Sequence, residues 1–431
     1  MSRSKAPGVL EVPCERFELP GGLVLLVSPR PGAPITAARL HLRGGSSVDP
    51  MGQEGRAFLA GRLSDQGTAS STEADLSARL EPCGGSLAGD QSGLSGSVAG
   101  PHWRVLLETL FEVARTAAYP EAEVELQKRR LLARMAVEEE SPRTQASQRF
   151  KRLVYGKHWL GRPAHGTVAS VASLTPEDLR KHHAAHWGPD RAVLGICGDL
   201  DPAAVRRLVA RLTKGWGAVG APERRRVAIP KRGVRLDAFR KSRDQVHVFL
   251  GHLGVKRADP DWPALVVMDH VLGSGPGFTA RITKRLRDEL GLAYTVHADI
   301  HASAGRQPGT FRAYIGTSPE HVGTAVQGFL HEMRRIRDER VSRKELSLAR
   351  DYLVGSFPLG FERAARRAGY LITAELHGYA PDHLRTLPER YASVTAAEVQ
   401  AAAQRHLHPE ACCLAAAGPV TRAALRAAMG S

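Results

Sequence analysis

The sequence predicts an α+β fold built twice: two homologous domains from a tandem duplication, each a mostly antiparallel sheet packed with helices. Three observations carry this. The segment Ser173-Leu-Thr-Pro-Glu-Asp-Leu, followed by His186, Pro189, Leu194 and Gly198, recurs in the second half at one constant offset, as Ser393-Val-Thr-Ala-Ala-Glu-Val, His406, Pro409, Leu414 and Gly418. A strand-like run over 35–42 with Asp49-Pro50 after it recurs at a slightly shorter offset, as 246–250 with Asp259-Pro260. Neither half shows regular βαβ alternation, which argues against a parallel sheet. A period of about 215 residues is also far too long for a solenoid repeat.

Local signals place the elements in order. Alternating Leu40 and Leu42 mark the first strand, and a helical run starts after each Asp-Pro pair. Thr175 with Asp178, and Thr395 with Glu398, form capping boxes that open the duplicated helix. Pro176 suits the first helical position, where no N–H is needed. Each helix leads through a proline turn to an apolar strand, 192–197 in one copy and 411–416 in the other. Residues 281–290 read as a helix closed by Gly291, and 292–300 alternate as a strand. The Pro-, Gly- and charge-rich stretch between Gly215 and Gly233 separates the copies. The expected division is 1–218, a linker over 219–233, and 234–431.

Composition narrows the function. The longest apolar runs cannot span a bilayer, so no membrane span is expected. The N-terminal stretch does not read as a secretory signal, which suits a cytoplasmic protein, or a periplasmic one whose signal has been removed. Cys14, Cys83, Cys197, Cys412 and Cys413 show no metal or disulfide spacing and read as reduced thiols. The net charge of +16 comes without a nucleic-acid motif or interleaved aromatics, so no nucleic acid is expected as a partner. A positive interior that attracts acidic peptides or a negatively charged partner subunit remains open.

Further motifs carry a family likeness. Arg43-Gly-Gly-Ser-Ser-Val-Asp-Pro-Met-Gly-Gln-Glu-Gly-Arg-Ala57, then Gly67-Thr68, Gly161-Arg-Pro163 and Gly166-Thr167, precede the first capping-box segment. Asp259-Pro-Asp261, Leu272-Gly-Ser-Gly-Pro-Gly277 and Arg287-Asp-Glu-Leu-Gly-Leu-Ala-Tyr294 follow in the second half. In that order they resemble the pitrilysin (insulinase) family of zinc metallopeptidases, over nearly the whole chain. The resemblance implies half of a clamshell and an inverted zinc motif, His-x-x-Glu-His, on one helix. There two histidines four apart bind zinc and the Glu serves as general base.

In this chain the motif falls on Phe58-Leu-Ala-Gly61-Arg62. Phe58 and Arg62 stand where the histidines would be, Gly61 where the base would be, and Gln127 where a distal Glu ligand would be. Phe has no lone pair, Arg is permanently cationic and neutral Gln is a poor zinc ligand. His182, His183 and His186, and separately His297 and His301, read as structural rather than as a substitute metal site. Arg287 and Tyr294 match the Arg/Tyr pair that the family's C-terminal domain brings to substrate. The Leu272–Gly277 stretch lacks a phosphate-loop ending and reads as a flexible turn. The expectation is a non-catalytic, substrate-binding subunit with no cofactor of its own. It would pair with a zinc-bearing family member, which holds the metal, to degrade or process peptides. A structural scaffold subunit, like the respiratory-complex core proteins that resemble this family, and a peptide-binding protein without a protease partner are the alternatives.

Overall fold

In the computed structural model, which describes residues 11–221, 227–275 and 279–430, the chain forms two sheets. The first contains β1 (Glu15–Glu18), β2 (Val24–Pro29), β3 (Ile35–Leu42), β4 (Ser86–Asp90), β5 (Gly93–Ala99) and β6 (Ala192–Gly198). The second contains β7 (Arg235–Arg240), β8 (Val246–Leu253), β9 (Val296–Asp299), β10 (Thr310–Thr317) and β11 (Cys413–Gly418). Strand order is β1-β2-β6-β3-β5-β4 in one and β7-β11-β8-β10-β9 in the other. Without β1 the two orders are the same.

Register carries the duplication to single residues. The parallel pair β2/β6 aligns Val24 with Val193, and its counterpart β7/β11 aligns Arg235 with Cys413. The antiparallel pair β3/β6 aligns Ala37 with Cys197, and β8/β11 aligns His247 with Ala417. The offset between counterparts is nearly the same for β2 and β3, and it is larger and again constant along β6, beyond the long insertions. Both expected capping boxes form, on the helices Pro176–His186 and Ala396–His406.

The sheets are covered in an unexpected way. One face of the first sheet, with Leu25, Leu40, Leu194 and Ile196, packs on Leu106, Leu110 and Phe111 of the helix Trp103–Thr116. Its opposite face, with Val24, Leu26 and Val193, is covered by Leu371 and Ile372 of the helix Ala364–His377, which belongs to the second half. The second sheet mirrors this. Phe249, Tyr314, Ala415 and Ala417 pack on Ala146, Phe150 and Val154 of the helix Pro142–Tyr155, which belongs to the first half. The two crossing helices occupy corresponding places in the duplication. Small residues allow the close approach: a Cβ on Gly195 would lie 2.6 Å from the Ala368 carbonyl oxygen. Burial on both faces explains why β6 and β11 read as unbroken apolar runs rather than alternating ones.

Two expectations need correction. The helix expected over 281–290 is a short α-turn, Arg281–Thr283, that widens into π-turns over Lys284–Glu289. Leu290 N–H donates to the Arg285 carbonyl, five positions back, at 3.1 Å. The strand expected over 292–300 narrows to β9, because both backbone groups of Leu292 are used elsewhere. Its N–H donates to Leu286 O (2.9 Å) and its carbonyl accepts from the Thr317 hydroxyl (2.8 Å).

Residues 272–274 lie in a further π-turn, His270–Ser274, while Pro276 and Gly277 of the glycine-rich stretch fall outside the described residues. So do residues 222–226 of the expected linker. Among the described residues no helix is long and apolar enough to cross a membrane. All five cysteines are free, four of them buried.

Candidate functional site

The helix Arg56–Arg62 carries the positions where a zinc motif would stand, and it is fixed on every side. The Asp49 carboxylate caps it, accepting from Gly55 N–H (3.1 Å) and Ala57 N–H (2.9 Å). Fully buried Tyr119, at a positive φ of 53°, donates its hydroxyl to the Ala60 carbonyl at 3.1 Å. The preceding turn is tied to the 162–170 segment by Arg162 to Glu54 (2.8 Å) and by the Ser170 hydroxyl to the Glu54 carbonyl (2.8 Å).

Gly61 faces the edge strand β4. A Cβ there would lie 2.0 Å from the Asp90 carbonyl oxygen, and a Cβ on Gly89 would lie 1.9 Å from the Gly61 carbonyl oxygen. Those distances are far inside van der Waals contact, so no side chain fits at position 61 unless β4 moves. The place of a general base is therefore closed by backbone, as well as lacking a carboxylate.

Its neighbours offer no metal site either. The half-buried Phe58 ring meets His165 edge-on at 6.2 Å and lies under the Arg134 guanidinium at 5.8 Å. Arg62 is exposed and Gln127 is half-buried on the helix Glu121–Glu140. These groups do not fit zinc.

His182 and His183 are buried, and the rings of His182 and His186 are 4.7 Å apart. Burial, with the Arg56 and Arg191 guanidiniums, pushes His182 well down and His186 to about 4. A pair in that cationic field repels a metal ion, and His186 Nδ1 already bonds Arg191 at 2.8 Å.

His406, the duplicate of His186, meets Asp261 at 2.7 Å, with Asp259 3.7 Å away. That cluster has the ligand types for a cation, but Arg405 grips Asp261 in a fork of two 2.7 Å bonds. Its role is to tie the helix Ala396–His406 to the start of the helix Trp262–Asp269.

His301 is likewise held. Its Nδ1 meets the fully buried Asp269 carboxylate at 2.5 Å, and that same oxygen accepts the N–H groups of Ile300 and His301.

Arg287 and Tyr294 do come together. Arg287 sits in the π-turned segment, and its guanidinium carbon lies 5.0 Å from the Tyr294 ring centre. Tyr294 is 85% exposed, in the loop just before the edge strand β9. Firm supports stand behind it. Arg281 forks onto Glu345 (2.6 and 3.0 Å), and Leu286 fills the space left by Gly328. Gly291 takes the φ of +63° that turns the chain.

Between the halves lies a cleft of about 550 Å³, bounded by His165 on one side and by Phe249, His297 and Arg312 on the other. His165 thus touches both this cleft and Phe58. Burial and the Arg312 charge hold His297 below its ordinary pKa. Arg134, His165 and Arg312 come from distant stretches with no shared spacing, so the sequence offered no signal for them.

The result is a duplicated α+β shell in which backbone closes in Gly61 and Tyr294 lies exposed beside Arg287. Residues 173–353 match the family model described as the peptidase M16 inactive domain. An uncharacterized zinc protease of Streptomyces coelicolor is 25% identical over 400 residues, covering 90% of this chain and 86% of that protein. An uncharacterized zinc protease of Mycobacterium tuberculosis is 24% identical over 419 residues, covering 94% of this chain and 93% of that protein. Among solved structures, a peptidase M16 inactive domain from Pseudomonas fluorescens superposes with a TM-score of 0.87 at 21% identity. The match covers 95% of this chain and 98% of that one. A protease from Helicobacter pylori gives 0.85 at 17% identity, covering 95% of this chain and all of the other. In sequence and in fold the chain is similar to proteins of the peptidase M16 family, and residues 173–353 match that family's inactive-domain model.

Proposed function

We propose that this chain is the substrate-holding, metal-free subunit of a two-chain peptidase. A zinc-bearing M16 partner would supply the metal, its ligands and the general base. The observation that carries the reading is Gly61 pressed against the Asp90 carbonyl, since no side chain fits at the position the resemblance gives to the base. The Arg287–Tyr294 pair complements it. A half-buried guanidinium, with Asp288 3.9 Å away, beside an exposed phenol on a braced turn suits a substrate carbonyl and the negative charge that develops on its oxygen. Tyr294 lies two residues before the edge strand β9, so an extended peptide pairing with that edge would run beside the phenol.

The test is reconstitution. The pure chain is expected to hold no stoichiometric zinc by elemental analysis and to leave a quenched peptide uncut. Mixed with an M16 protein that has the intact motif, it should co-elute on size exclusion and restore chelator-sensitive cleavage. Chelator-sensitive hydrolysis by the single chain would overturn the division of labour. Co-elution without any gain in cleavage would favour a scaffold role.

A further inference from the structure

A second and larger cavity, of about 950 Å³, lies at the seam between the halves, away from the Arg/Tyr pair. Its first-half wall is the end of β3 with Arg43, and its second-half wall is the 303–308 loop with Arg306, next to Lys256. Among the described residues, no Asp or Glu lines it and none of these three cations makes an ion pair with a carboxylate; Glu375, which Arg16 grips, acts on Arg43 through its field from outside the cavity. Most arginines near carboxylates on this molecule are paired, as Arg16, Arg79, Arg149 and Arg281 are. Cations lining one cavity repel, and Asp90 and Glu375 offset this from outside the lining, so an anion entering the cavity would relieve the remaining repulsion.

The two arginines converge. The half-buried His41 imidazole is held down to about 4 by burial first, and then by Arg39, Arg43 and Arg306, with Asp90 opposing. Arg43 and Arg306 come from different halves and still act on one ring. Both are carried on fixed backbone. Arg43 donates its N–H to the Arg191 carbonyl (3.0 Å) and its own carbonyl accepts from the Arg191 guanidinium. The Arg306 loop is pinned where Arg257 N–H donates to Gly305 O (3.0 Å) and the Tyr155 hydroxyl donates to Pro308 O (3.0 Å). Trp159 and Ile229 add an apolar wall, which free inorganic anions do not need and an amino-acid side chain does.

We propose that this seam cavity binds a peptide carboxylate, at a free C-terminus or an acidic side chain, with the adjoining apolar side chain against Trp159 and Ile229. The assignment rests on the peptide-holding reading above, but its test requires neither a partner nor cleavage, so the two can fail separately.

The probe is a short fluorescent peptide ending in Leu-Glu with a free carboxylate, set against its Leu-Gln amide twin. Anisotropy with the pure chain at low salt should show the acid binding at least tenfold tighter, and the advantage should shrink as salt rises. Arg43→Gln with Arg306→Gln should lose roughly tenfold or more. Lys181→Gln with Arg207→Gln removes the same net charge at exposed helix positions and should bind like wild type. If the double cavity variant does not fold, Lys256→Gln alone, at an exposed position, should still weaken the acid about threefold. Equal binding of the twins overturns the proposal, as does an equal loss in the control variant. Inorganic phosphate outcompeting the peptide at equal concentration would make this a small-anion pocket instead.

Discussion

The helix Arg56–Arg62 and the segment carrying Arg287 and Tyr294, which the sequence resemblance matches to two parts of one family's machinery, have opposite structural characters. The first is enclosed. Asp49 caps it, Tyr119 holds its carbonyl, and β4 lies against Gly61 at a distance that excludes a methyl group. The second is open, with Tyr294 almost wholly in solvent and stacked on Arg287. A position closed by backbone cannot regain a side chain without moving a strand. An exposed aromatic on a braced turn costs little to keep and is free to act on something outside the chain.

The largest expected effect tests the open side. Tyr294→Phe removes one hydroxyl and almost no packing. It should lower kcat of the reconstituted complex by roughly 10²–10³-fold, with KM changed less and the melting temperature unmoved. A kcat within about twofold of wild type would make the pair structural.

The next tests the closed side. Gly→Ala inside a helix normally stabilises, by up to about 1 kcal/mol. At position 61 the sign should reverse, with Gly61→Ala losing about 1–3 kcal/mol by chemical denaturation because β4 must give way. A stabilised variant would show that the strand yields easily and that the base position is open after all.

A smaller effect distinguishes the duplicated helices. In the second half, the counterpart of the motif helix ends at Asp269, which holds His301. Burial opposes charge on His301, but the Asp269 hydrogen bond and charge together raise its pKa. A raised histidine pKa gives stability that is fully present below the unfolded value and lost as pH climbs through the folded one. The lead of wild type over His301→Gln should therefore be about 1–2 kcal/mol near pH 6 and shrink toward pH 9. A lead that grows with pH would contradict the ion pair.

The smallest is Arg62→Ala. This exposed residue of the enclosed helix should change stability by no more than about 0.5 kcal/mol. A larger loss would mean the relic helix still depends on that charge.

Much of the fold was legible because its signals are local. The capping boxes on Thr175 and Thr395 recur with proline turns and apolar strands at a fixed spacing, and the ladders keep that spacing to the residue. The π-turns over Lys284–Glu289 were not, because apolar periodicity reports a helical run but not a widening of its turns, and the packing of Leu286 on Gly328 joins distant stretches. Gly61 could be read as the loss of a carboxylate, but the reason nothing replaces it lies in the Asp90 carbonyl of a different element. Arg43 stood within a recognisable motif, yet its convergence with Lys256 and Arg306 exists only where the two halves meet.

The exchanged helices also govern how the chain can be made. During synthesis the first sheet is complete once β6 emerges, but the helix that shields Val24, Leu26 and Val193 arrives only after most of the second half has been made. Until then that face is a bare apolar surface on a nascent chain, and the crossing helix Pro142–Tyr155 has no sheet to lie on. Folding must therefore wait for almost the whole polypeptide, with contacts far apart in sequence closing last. A chain split between Gly198 and Arg235 should yield two fragments that are each insoluble alone and recover the fold only when co-expressed.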